Sequence, residues 1–88
     1  MELDQLKKDF IEAVLRHESI ALKRCDNKNH YECDGNDGLA PFLSIMGVEL
    51  VDSIIDELIS DGKIEYKGEH NVASPEFAAI SIYYRVKQ

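Results

Sequence analysis

The sequence predicts one small domain of the α+β class, and three observations support this prediction. Its 88 residues lie near the lower limit for a single hydrophobic core, and 44% of them are apolar, which is ordinary for a folded chain. Apolar residues recur every three or four positions in residues 2–24 and 48–61, as they do on the buried side of a helix. After Gly62 the period shortens to two, which is typical of half-buried strands.

Residues 2–24 are predicted to form the first helix. One apolar stripe at helical spacing consists of Leu3, Leu6, Phe10, Ala13, Val14, His17 and Ala21. Ile11, Leu15 and Leu22 widen it beyond the roughly 100° that a surface helix usually buries. The extra width has two interpretations: a helix sunk deeply into a small core, or a homodimer that forms through Ile11, Leu15 and Leu22.

Residues 25–38 are predicted to form a surface loop, because Asn, Asp and Gly interrupt every periodicity there. Cys25, His30 and Cys33 have the spacing C-x4-H-x2-C, which supplies three of the four ligands that zinc requires. Asp34 or another chain would have to supply the fourth. A redox pair of Cys25 with Cys33, or two ordinary thiols, are the alternatives, and no other cofactor is predicted.

Two more helices are predicted at residues 39–46 and 48–61. Pro41 fits only in the first turn of a helix, and Gly62 can adopt the left-handed conformation that ends one. The apolar side of the longer helix consists of Leu50, Val51, Ile54, Ile55, Leu58 and Ile59. Its opposite side is entirely acidic or neutral, and consists of Glu49, Asp52, Ser53, Asp56, Glu57 and Ser60.

Residues 62–87 are predicted to form a β-hairpin. Ile64 and Tyr66 alternate with charged residues in a short first strand, and a loop follows at 68–78. In the second strand the alternating apolar residues are Ile80, Ile82, Tyr84 and Val86. The hairpin carries four basic residues, which are Lys63, Lys67, Arg85 and Lys87.

This order of elements resembles that of a winged helix-turn-helix domain. Residues 39–48, LAPFLSIMGV, are similar to the second helix and turn of that family, and Met46-Gly47-Val48 stands where a Leu-Gly-Val or Leu-Gly-Ile tripeptide is usual. The pattern Val51-x3-Ile55-x2-Leu58-x3-Gly62-x-Ile64 is similar to the buried side of that family's third helix and the connection from it into the wing. The resemblance covers the chain except the loop 25–38. It implies three helices plus a two-stranded β-hairpin wing, with the third helix in the major groove of DNA.

The acidic side of the third helix argues against that way of binding DNA. A helix that reads base edges needs Arg, Lys, Asn or Gln, and this one presents Glu49, Asp52, Asp56 and Glu57 around Ser53. Each carboxylate that approaches a phosphate to 4 Å costs roughly 1 kcal/mol in bulk water. The sequence therefore favours a regulatory or adaptor protein that binds the basic surface of another protein through these five residues. The alternative is a dimeric DNA-binding transcription regulator that uses Lys63, Lys67, Arg85 and Lys87 with the bases of the first helix.

The charge distribution suits a basic partner, and it is equally typical of a protein whose acidic surface is simply solvated. The net charge is -7, and residues 25–62 hold nine acids and one base, so this segment alone carries -8. Such a surface repels nucleic acid and acidic membranes. No motif of a hydrolase, nucleotide-binding enzyme or metalloprotease occurs, so no catalytic function is predicted. We expect a cytoplasmic or nuclear protein, since the sequence contains no signal peptide or membrane span.

Overall fold

Three α-helices pack on one face of a four-stranded antiparallel sheet in the computed structural model, which describes residues 3–33, 37–72 and 78–87. The predicted α+β class is therefore confirmed. In chain order the elements are α1 Leu3–Leu15, β1 Ser19–Cys25, β2 Tyr31–Cys33, a 3-10 turn Asp37–Leu39, α2 Ala40–Leu43, α3 Val48–Ser60, β3 Ile64–Asn71 and β4 Ala79–Val86. The sheet has the order β2-β1-β4-β3.

The first helix ends at Leu15, so the prediction of a helix over residues 2–24 was wrong in its second half. The segment SIALKRC forms β1 and pairs with β4 along its whole length, from Ser19 opposite Arg85 to Cys25 opposite Ala79. Its Ala, Leu, Lys and Arg residues favour helices when isolated, but Ile20 and Leu22 also have the period of a strand. Pairing with a distant strand decides between the two, and no local pattern contains that information.

The proposed dimer face of Ile11, Leu15 and Leu22 does not exist as one helix surface. Leu22 lies on β1 and is 1% exposed in the core. Ile11 and Leu15 are half-buried and pack against the same core from α1. The predicted helix had too many apolar residues for one face because its second half is a strand, and Leu22 is buried in the core as part of that strand. His17 follows α1 and donates from Nδ1 to the carbonyl oxygen of Ala13 (2.8 Å).

The predicted two-stranded wing is half of a larger sheet. β3 and β4 form the hairpin, but β4 is a central strand because β1 pairs with its other edge. β2 lies within the predicted loop 25–38 and pairs with β1 from Leu22 opposite Cys33 to Arg24 opposite Tyr31. The hairpin tip at 73–77 and residues 34–36, including the candidate ligand Asp34, lie outside the described residues.

The core lies between α3 and one face of the sheet. α3 contributes Val48, Val51, Ile54, Ile55 and Leu58, all buried. From the sheet, Ile20, Leu22, Tyr31, Ile64 and Val86 join the same cluster, and Ile82 and Tyr84 pack against it. The cross-strand register places these sheet residues on one face. Ile80, on the same face at the end of β4 away from Val86, is half-buried and does not belong to this cluster.

Gly62 connects α3 to β3 in a left-handed conformation, with φ 73°. The N–H of Lys63 donates to the carbonyl oxygen of Leu58 (2.9 Å), and the N–H of Gly62 donates to that of Ile59 (3.0 Å). This pair of bonds is the Schellman arrangement, which satisfies the last carbonyls of a helix.

We predict that Gly62→Ala lowers the free energy of unfolding by about 1 kcal/mol, since a residue with a Cβ resists positive φ. No atom lies within 4 Å of an added Cβ, so the loss would come from the backbone alone. Urea denaturation followed by circular dichroism measures it. Gly38→Ala is the control, because its added Cβ would lie at an ordinary 3.7 Å from His17 Cε1. Equal stability of the two variants would contradict the prediction.

Candidate functional site

The acidic face of α3, defined as Glu49, Asp52, Ser53, Asp56 and Glu57, lies on the side of the helix that faces away from the core. Four of its residues are exposed, and Asp52 is half-buried. The three residues Glu49, Ser53 and Asp56 follow one another at intervals of four and three positions. They therefore form one continuous stripe on the helix surface.

Asp52 is turned toward the sheet. Its carboxylate accepts a hydrogen bond from the phenol of Tyr31, which lies on β2 and is 4% exposed. Burial of Tyr31, together with this bond and the charge of Asp52, raises the pKa of the phenol well above its usual value. Asp52 therefore joins α3 to the edge of the sheet, in addition to contributing charge to the face.

Glu57 lies at the other edge of the face and forms an ion pair with Lys7 of α1, at 2.9 Å. Both side chains are partly exposed, so the pair contributes little to stability. Glu49 and Asp56 form no ion pair with any described residue. By contrast, Glu12, Glu32 and Glu65 each have a Lys or Arg nitrogen within 4.0 Å. The outward carboxylates of α3 with no cation beside them are therefore Glu49 and Asp56.

Two tyrosines extend the acidic face onto the sheet. Tyr84 of β4 is half-buried, and its ring meets that of Tyr66 of β3 edge-on, with centroids 6.2 Å apart. Burial, together with the charges of Asp52, Asp56 and Glu69, raises the pKa of Tyr84 to about 12. Tyr66 is 48% exposed and donates its phenol proton to Glu69 (2.8 Å). Three carboxylates thus surround this pair of rings.

A recess of about 440 Å³ lies at the end of β4 away from Val86. We call it the hairpin groove, and it is lined by Arg24, Asp26, Glu69, Ala78, Ala79, Ile80 and Ile82. Ile80 and Ile82 form its floor, on the same face of β4 as Tyr84. Arg24 lies opposite Ile80, and Glu69 lies opposite Ile82 in the register. Arg24 is the one basic residue among the described residues that line it.

Sequence reasoning missed Arg24, Tyr66, Glu69 and Tyr84 as parts of a site. The alternation in β4 did place Ile80, Ile82 and Tyr84 on one face, but it gave no reason to expect a recess at one end of that face. The sequence pattern predicts a helix at Arg24, and a helical Arg24 would not lie beside Ile80. A β-bulge at Lys67 decides which face Glu69 occupies, and the sequence pattern does not reveal it.

The basic residues of the hairpin are all exposed but do not form an uninterrupted patch. Lys67 lies 3.9 Å from Glu65, and Glu65 is the cross-strand neighbour of Arg85. Arg85 shares the sheet face opposite the helices with Ser19. Lys63 and Lys87 are adjacent at the base of the hairpin, where the N–H of Lys87 donates to the carbonyl oxygen of Lys63 (2.9 Å). Lys7 of α1 pairs with Glu57, and Arg16, just after α1, pairs with Glu12.

Cys25, His30 and Cys33 do not converge on one point. Cys25 and Leu22 are three residues apart on a regular strand, and Cys33 lies opposite Leu22, so the two cysteines point to opposite faces of the sheet. The two cysteines are not joined by a disulfide bond. His30 donates from Nδ1 to the carbonyl oxygen of Tyr31 (3.2 Å). Within the described part of the chain, no three His, Cys, Asp or Glu side chains lie close enough to hold a metal ion.

Comparison of the chain with protein-family models, curated proteins and solved structures finds no match. None of the described helices has both the length and the apolar character that a membrane span needs. Charge, exposure and contacts on this chain are therefore the basis for a functional assignment.

We predict that the Tyr31–Asp52 contact makes stability fall above about pH 10, the pKa of an unperturbed tyrosine. A raised folded pKa means that the unfolded chain loses its phenol proton first. The contribution of Tyr31 is then fully present below pH 10 and is lost as the pH rises toward the folded value. Tyr31→Phe should lower the free energy of unfolding at pH 7 by about 1–3 kcal/mol, since it removes a hydrogen bond to a charged group.

Above about pH 10, the free energy of unfolding of Tyr31→Phe should also fall less steeply with pH, by roughly 1.4 kcal/mol per pH unit. The reason is that unfolding of this variant no longer releases the phenol proton of Tyr31. Urea denaturation at pH 7, 10 and 11 measures both effects. Tyr83→Phe is the matched control, since Tyr83 is 39% exposed on the opposite face of β4. A decline as steep in Tyr31→Phe as in the unmodified protein would contradict the assignment.

Proposed function

We propose that this chain is a non-enzymatic winged-helix module that binds a basic surface of another protein through the acidic face of α3. The observation that carries the proposal is the stripe of Glu49, Ser53 and Asp56, which is exposed and has no ion pair with a described residue. Charged groups that lack a neighbour of opposite sign are available to a partner, and they steer and orient its approach.

The winged-helix part of the proposal is supported by the order of the last elements. A short α2 is followed by a turn at Gly47, the longer α3, a left-handed Gly62 and the β3–β4 hairpin. This is the order on which the resemblance was based. β1 and β2 are additions to that order, and they enlarge the wing to four strands.

The charges of α3 support a protein partner over DNA. The helix contains no Lys or Arg, and three of its four carboxylates are exposed while Asp52 is half-buried. Asp52 is held by Tyr31 and Glu57 by Lys7, so neither can move far from its place on the face. Alignment of this helix with a phosphate backbone would bring like charges together.

A charge-reversal experiment tests the proposed face. Tagged protein captures partners from an extract of the source organism, and mass spectrometry quantifies them. We expect Glu49→Lys with Asp56→Lys to reduce capture of the main partner at least tenfold. Neither side chain has a described ion pair to lose, so the fold should survive, and circular dichroism checks this.

The matched control is Glu12→Lys with Glu18→Lys, which adds the same positive charge at exposed positions in and just after α1. Glu12 pairs with Arg16 only at 3.8 Å on an exposed surface, so this change should cost little stability. Retention of the partner by the α3 variant, or equal loss in both variants, would refute the proposed face.

A gel-shift assay separates this proposal from the DNA-binding alternative. We predict no retardation of a generic duplex at about 50 mM salt, where proteins that contact phosphates through basic residues still bind nonspecifically. Retardation that fades as salt rises and disappears in Lys63→Gln with Lys87→Gln would instead support the wing as a DNA-binding surface.

A further inference from the structure

The acidic face of α3 and the hairpin groove form one continuous surface. Tyr84 connects them, since it lies next to Ile82 on one face of β4 and is close enough to Asp52 and Asp56 to respond to their charges. On the other side Tyr66 touches both Tyr84 and Glu69, and Glu69 lines the groove. A partner that contacts Asp56 therefore lies beside the tyrosines and the groove as well.

The two parts of this surface suit different side chains. The groove floor is formed by Ile80 and Ile82, and its volume of about 440 Å³ is within the range of roughly 300–1,000 Å³ found for ligand pockets. The tyrosine pair presents aromatic rings, Tyr66 donates a hydrogen bond to Glu69, and the charge of Asp56 acts on Tyr84. Aromatic faces and carboxylates both attract the ammonium or guanidinium group of Lys or Arg.

We infer that the occupant of this surface is an extended, basic peptide segment of the partner. It places an aliphatic or aromatic side chain in the hairpin groove and a Lys or Arg over Tyr84, between Asp56 and Glu69. This inference rests on the proposed function and specifies what that function recognises. A second copy of the chain suits the surface poorly, because each copy carries a net charge of -7.

The spacing of the two side chains follows from strand geometry. Ile80, Ile82 and Tyr84 are successive residues on one face of β4, about 7 Å apart from one to the next. An extended peptide lying along β4 has the same repeat on its own inner face. The basic residue should therefore be two or four positions from the apolar one.

Selection from a phage-displayed library of random twelve-residue peptides, with the full chain as bait, tests the inference. We expect enriched peptides to contain Lys or Arg two or four positions from Leu, Ile, Met or Phe. Fluorescence anisotropy with the most enriched peptide should show at least fivefold weaker binding to Glu69→Gln and to Ile80→Thr. Glu69→Gln retains an acceptor for the phenol of Tyr66, and Ile80 is not among the residues that pack against the core cluster.

Two controls match these variants. Glu65→Gln removes a carboxylate from the same strand on its other face, and Ile45→Thr removes an exposed isoleucine (66% exposed) in the turn after α2. Both should bind the peptide like the unmodified chain. Circular dichroism of all four variants confirms that they are folded.

Several outcomes would overturn the inference. These are no enrichment, enriched peptides without the spacing, or binding that Glu69→Gln and Ile80→Thr leave unchanged. A dimer in sedimentation equilibrium that Ile80→Thr dissociates would assign the groove to a second copy instead. If peptide binding is lost in the Glu49→Lys, Asp56→Lys variant but not in the groove variants, the inference fails while the proposed function stands.

Discussion

The pairing of β1 with β4 is the constraint on which the rest of this structure depends. Seven residues from each strand face one another, and they join the segment after α1 to the C-terminal strand. This pairing makes β4 a central strand. Its side chains therefore point alternately to the face that the helices pack against and to the opposite face. It also brings Arg24 opposite Ile80, and thereby forms one wall of the hairpin groove.

The acidic residues of α3 serve two different purposes. Asp52 and Glu57 contact other elements, through Tyr31 of β2 and Lys7 of α1. Glu49 and Asp56 then point outward as a consequence of helical spacing. Replacement of Asp52 would remove both its bond to Tyr31 and a charge of the face, so the two effects could not be separated. Substitutions at Glu49 and Asp56 therefore test recognition more directly.

Local patterns in the sequence were sufficient for some elements and insufficient for others. α3 has an uninterrupted period of 3.6 and a terminating glycine, and β4 has a strict period of two with β-branched and aromatic residues. β1 has no such unambiguous pattern, because its residues are compatible with a helix and with a strand. Pairing with β4 decides between the two. β2 has three residues, too few for any period to be detected. The groove depends on β1, which supplies Arg24, and on the bulge at Lys67, which decides the face of Glu69. Spacing alone predicts that Ile80 and Ile82 share a face, but it does not place these two charged residues beside them.

The two faces of the sheet differ in charge, and this difference bears on how a partner would approach. The helix-covered face carries Arg24 and Glu69 on the two strands that flank β4, and the charges of Asp52, Asp56 and Glu69 all act on Tyr84. The opposite face carries Lys23 and Arg85, next to Glu32 and Glu65 respectively. A net charge of -7 attracts a basic partner from any direction. On the helix-covered side, the exposed Tyr66 and the half-buried Ile80 and Ile82 accompany Glu69 and the acidic face of α3. Long-range attraction would therefore raise the rate of encounter, and the apolar floor beside the acids would decide where the partner remains bound.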